Sequence, residues 1–160
     1  MKQSIIKRIL LTGLAAVGLI GLLAGCAQEK PVTLDVPAAA DTLFGALTFQ
    51  DTLAQADESR VEMLYGIDPA DLTAQKVYVS TGATAEEIAV FEAKDADAAA
   101  RVKAAAEQRI ADQKESYQDY NPQELTKLGD PVIETRGNYV ILAVCDDAQA
   151  ARDAVKGLWG

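Results

Sequence analysis

The sequence predicts an α+β domain: a four-stranded, mainly antiparallel sheet with two longer helices on one face, plus short N-terminal helices. Three observations carry this expectation. The segments "KVYVS", "EEIAVFEA", "PVIETR" and "YVILAVC" have the composition and alternation of strands. Gly137-Asn138 between the last two is a tight hairpin signal. From Asp95 to about Gln118, apolar residues recur at three- and four-residue spacing, the mark of an amphipathic helix.

Taken along the chain, "VTLDV" reads as a brief strand and "PAAADTLFGAL" as a helix. Pro37 fits its first turn, and Leu43, Phe44 and Leu47 form its apolar side. "TFQDTLAQADES" has no period and reads as loop. "SRVEMLYG" is a short helix closed by Gly66, and "DPADL" a single turn capped by Asp68. The first hairpin turns near Gly82. The long helix takes Asp95 as its N-cap and presents Ala99, Val102, Ala106, Ile110, Gln113 and Tyr117 along one face. "NPQEL" offers a capping box from Asn121 and Glu124. The last helix, from "DDAQAARDAVKGLW", takes Asp146 as cap with Gln149 three residues on. Residues 76–118 and 131–158 thus each form a hairpin followed by a helix, a weak internal repeat.

The chain has 160 residues, 49% of them hydrophobic and only 6% aromatic, enough for one alanine-rich core. Net charge is −9. Lys2, Lys7 and Arg8 are the charged residues of the first 25, so all 24 acidic side chains fall in the remainder. A body of that sign is repelled by phosphate backbones, and no nucleic-acid partner is expected.

That N-terminal stretch begins basic, runs uncharged from Ile9 to Gly25 and ends on small residues, as a secretory signal does. Leu23, Ala24, Gly25 and Cys26 resemble the bacterial lipobox. The resemblance implies that the Cys26 thiol receives diacylglycerol and that cleavage makes Cys26 the N-terminus. Two acyl chains, such as palmitate, hold where one holds only marginally. The expected organisation is a removed signal peptide at 1–25, a lipid-anchored tether at 26–31 and one globular domain at 32–160. The alternative is a plain anchor helix with an incidental cysteine.

The chain has no histidine. Ser-His-Asp and Cys-His catalysis, and most zinc sites, are therefore excluded. Neither a phosphate-binding glycine loop nor a CxxC pair occurs. Adjacent carboxylates remain at Glu86-Glu87 and Asp146-Asp147. Neighbours on a strand point to opposite faces, so the first pair cannot converge on one bond. The second has sufficient employment at a helix start. Solvated or capping roles are expected for both, and Asp95 and Asp97 lack the other ligands of a calcium loop. Cys145 sits in a strand apolar on both sides and reads as a buried, inert thiol. Tyr117, Tyr120 and Tyr139 fall at element ends, and they border a groove for an extended ligand if they do more than pack.

The runs "LYGID", "EEIAVFEAKD", "QKESYQDYNPQEL" and "GNYVILAVCDD" together resemble a bacterial lipoprotein family catalogued as domain of unknown function 4358. The resemblance spans most of residues 40–158. It implies a lipid-anchored single domain of the kind found in Gram-positive anaerobes, and supplies no catalytic residue or cofactor. The expected function is a non-enzymatic binding or interaction module on the outer face of the cytoplasmic membrane. Its partners would be the bilayer, through Cys26, and an envelope protein. The alternatives are a solute-binding component serving a transporter and, further off, a carboxylate-dependent envelope hydrolase.

Overall fold

The computed structural model describes residues 33–160. The elements run α1 (Val36–Ala46), β1 (Ala54–Gln55), α2 (Glu58–Tyr65), β2 (Leu72–Val79), β3 (Glu87–Ala93), α3 (Ala96–Tyr120), α4 (Leu125–Gly129), β4 (Val132–Arg136), β5 (Tyr139–Val144) and α5 (Ala148–Gly157). The strands form one antiparallel sheet in the order β1-β2-β3-β5-β4. The α+β class is as expected, with five strands rather than four. The additional strand, β1, is two exposed residues in the segment read as loop, pairing Ala54 with Val79 and Gln55 with Tyr78. Two residues are too short to show a period.

The two long helices do not share a face. On β3 and β5, Ala89, Phe91, Val140, Leu142 and Val144 pack under α2 and α3. Ile88, Val90, Ile141, Ala143 and Cys145 pack on the other side, under α1 and α5. A sheet apolar on both faces needs helices on both, and the central strands β3 and β5 are apolar on both. The hairpin-helix repeat is real in order but places its two helices in opposite layers.

Local chemistry explains most boundaries. Asp35 ends the extended approach and caps α1, its Oδ1 accepting from the Ala38 amide at 3.0 Å. The expected strand at 32–36 is therefore replaced, over its described residues, by a helix entry. Along α1 the buried positions are Val36, Ala39, Ala40 and Leu43, whereas Phe44 faces outward and stacks on Tyr78 at 4.7 Å between ring centroids. Gly66 closes α2 at φ 62°, and Gly137 turns the last hairpin at φ 58°, both in the region where a side chain is strained. All six expected face residues of α3 are buried.

Two caps differ from expectation. The Asn121 side chain caps nothing, because Glu124 turns inward and its Oε2 accepts from the Ala85 amide at 2.9 Å. Asp147, not Asp146, caps α5, accepting from the Ala150 amide at 2.9 Å; Asp146 instead accepts from Gln50 Nε2 at 2.5 Å, and Gln149 donates to Asp153.

Asp71, at the end of a 3-10 turn over Pro69–Asp71, clamps that turn to α3. Arg101 donates to both of its oxygens at 2.6 and 2.7 Å, and Lys94 Nζ lies 2.9 Å away. Hydrogen bonds from Arg101 first, then Lys94, hold the Asp71 carboxyl well below its usual range. A depressed folded value means the clamp is complete above roughly pH 4, the unfolded carboxyl's range. It is lost as pH falls through the folded value. We expect Asp71→Asn to lower the thermal midpoint at neutral pH and to flatten its decline in acid. An unchanged acid limb in that variant would remove Asp71 from the account.

Candidate functional site

Glu86 directly precedes β3 and Glu87 opens it. They are not solvated, as expected from the sequence, but 1% and 0% exposed. A buried carboxylate is tolerable only when charge-paired and hydrogen-bonded, and each has its own set of partners.

Glu86 accepts from the amides of Gln50 (2.9 and 3.0 Å) and Asp51 (2.9 Å), from Thr84 Oγ1 at 3.0 Å and from Lys127 Nζ at 3.1 Å. Lys127, itself only 6% exposed, also lies 3.1 Å from Glu124 and 3.5 Å from Asp146. Burial by itself would lower the Lys127 pKa. The hydrogen bonds to Glu86 and Glu124 outweigh it, and the net shift is upward. With Glu124 on the Ala85 amide and Asp51 on Thr81 (backbone N at 2.9 Å, Oγ1 at 2.5 Å), two further acidic side chains pin the 80–86 loop.

Glu87 has a separate set of partners. It accepts from the buried Tyr65 hydroxyl, from Arg109 Nη2 at 3.0 Å and Nε at 3.2 Å, and from Gln113 Nε2 at 3.2 Å. Burial first, then the Glu87 charge, raises the Tyr65 pKa well above 10. Arg109 and Gln113 stand one helical turn apart on α3, so the helix that covers this face also supplies the counter-charge.

Beside this group lies a pocket of about 320 Å³ between α2, α3 and the 80–86 loop. Leu64 and Val79 give it apolar surface, Gln113 and Tyr117 stand on the α3 side, and Arg60 and Tyr120 are exposed at its margin. Tyr117 donates to the Thr84 carbonyl at 2.5 Å, fixing the loop against the helix. Burial, then the nearby Glu124 charge, raises its pKa. The Gln113 Oε1 atom is buried and has no hydrogen-bond partner.

The structure brings Tyr117 and Tyr120 together at this pocket, with ring centroids 6.1 Å apart, and leaves Tyr139 out. Tyr139 lies among the α1 and α5 residues, donates to Glu92 at 3.1 Å and packs 6.2 Å from Trp159. Strand parity puts it on the other face, so the three tyrosines do not border one groove. Cys145 is buried, its thiol donating to the Asp147 carbonyl at 3.3 Å, and burial raises its pKa. Leu23, Ala24, Gly25 and Cys26 lie outside the described residues. Among the described residues no helix is long and apolar enough to cross a membrane.

Sequence reasoning gave Glu86, Glu87 and Glu124 solvated or capping roles and passed over Arg109 and Lys127. Two signals pointed to them: a charged residue inside a strand apolar on both faces, and Gln113 within the apolar stripe of α3. Each announces a buried polar group that needs a partner.

Glu86 and Glu87 each face a cation and further donors, and both line the pocket. A family model described as "Domain of unknown function (DUF4358)" matches residues 46–145. Comparisons with curated proteins and with solved structures give no match.

Proposed function

This chain belongs to the family of the domain of unknown function DUF4358, and from that premise, which carries no activity, we propose a membrane-anchored envelope lipoprotein that works as a non-enzymatic binding module. The anchor is lipid on Cys26, and the address is the outer face of the cytoplasmic membrane. One observation supports the binding role above others. The pocket beside Glu87 is walled by polar groups already fixed to one another, which makes it pre-formed rather than reactive. A volume near 320 Å³ suits a small molecule or the end of a chain.

Two measurements test the reading. Fatty-acid labelling should mark the wild type and not Cys26→Ala, which should also leave the membrane fraction; unchanged mass and retention in the variant would sink the anchor. Protein purified from its own membranes should carry or capture small molecules without altering them. Turnover of a captured compound would replace the binding module with an enzyme.

A further inference from the structure

Resting on the binding-module reading of this pocket, we infer that its ligand is a small N-acyl amino acid or the free C-terminal end of a peptide. Three features of the pocket ask for three features of a ligand. Arg60 stands at the margin on α2 and takes part in no ion pair among the described residues. It is a guanidinium available to a carboxylate, whose geometry it matches bidentately. Gln113 Oε1 is buried without a donor while the same side chain's Nε2 is committed to Glu87, so the atom left over is free to accept an N–H or O–H from a ligand or a water. Leu64 and Val79 offer apolar contact, and the Tyr120 ring, 70% exposed, extends it outward.

A carboxylate, an adjacent amide N–H and an apolar side chain are what an acylated amino acid carries within a few bonds. The charge inventory selects a monoanion. Of the cations lining the pocket, Arg109 is already spent on Glu87, and Arg60 alone is unpaired. A phosphate dianion would meet one available cation with two carboxylates, Glu86 and Glu87, lining the same pocket. One carboxylate against one arginine balances.

The test uses the full-length chain in lipid nanodiscs and three probes read by NMR at millimolar concentration. They are N-acetyl-leucine, its C-terminal amide, and the ester analogue in which oxygen replaces the N–H. N-acetyl-leucine should shift the side-chain resonances of Arg60 and Gln113. The amide and the ester should each bind about tenfold more weakly. Arg60→Ala should weaken the acid about tenfold and leave the amide's affinity unchanged. Arg60 is exposed and unpaired, so this variant leaves the fold intact. Gln113 is probed by the ester instead, because replacing it would also disturb Glu87. Equal binding of all three probes would overturn this ligand class and leave a non-selective pocket, with the binding module standing. Absence of binding by N-acetyl-leucine would overturn it outright. Enzymatic cleavage of a probe would overturn the module itself.

Discussion

Lys127→Met should destabilise the fold by about 3–5 kcal/mol, the cost of leaving buried charge without its counter-charge. Lys127 is the cation that Glu86 and Glu124 share, and all three are almost fully buried. Methionine matches its length and supplies none of the hydrogen bonds. Urea denaturation at pH 7 should show the loss as a lower midpoint with an unchanged slope. Converting Glu86 and Glu124 to glutamine in the same chain should recover part of it, because the variant's damage comes from stranded carboxylates rather than from a missing attraction. A loss below about 1 kcal/mol would mean the cluster behaves like a surface pair. The pH dependence has a definite sign. The Lys127 pKa is raised in the folded state, so its contribution is complete below the unfolded value of 10.5 and disappears as pH climbs through the folded one. The wild type should therefore lose stability in strong alkali along a limb that Lys127→Met lacks.

Phe91→Ala should cost about 3–5 kcal/mol as well, by a different route. Phe91 is wholly buried in the layer between the sheet and α2–α3. It meets Tyr65 edge-on, with centroids 5.2 Å apart and planes at 74°. Deleting it removes apolar burial, leaves a cavity and frees Tyr65, whose hydroxyl holds Glu87. The phenol should then titrate closer to its ordinary range, visible in the alkaline absorbance of the variant while it remains folded. Phe91→Leu keeps most of the volume and should cost less than about 1.5 kcal/mol. If alanine and leucine cost the same, cavity formation is not the reason.

The parts of the fold legible in the sequence were those encoded by local pattern. The α3 face from Ala99 to Tyr117 and the Gly137-Asn138 hairpin are examples: a period and a turn residue decide them without reference to distant chain. Three things depended on distant chain and were misread. β1 exists because β2 offers Tyr78 and Val79 an edge partner, not because Ala54-Gln55 prefers extension. The layer of α5 follows from which face of β3 and β5 was already covered by α3. Asp146 and Glu124 looked like caps because their spacing allowed it, but donors at Gln50, Ala85 and Lys127 claimed them instead. The pocket suffered the same limit. Tyr117 and Tyr120 were singled out by position at a helix end, while Arg60, Arg109 and Gln113 acquire meaning only when α2 and α3 lie on the same side of the sheet.

The pinning of the 80–86 loop also dictates an order of events. Glu86 binds groups 35, 36 and 41 residues away, and the Gln50–Asp146 bond beside it closes 96. Contacts of such long sequence separation are closed late, after local helices and hairpins exist. A chain emerging N-terminus first has α2, β2 and β3 long before Lys127 arrives to neutralise Glu86. A chain interrupted before α4 therefore carries every residue of the pocket but not the cation that neutralises Glu86 on its wall.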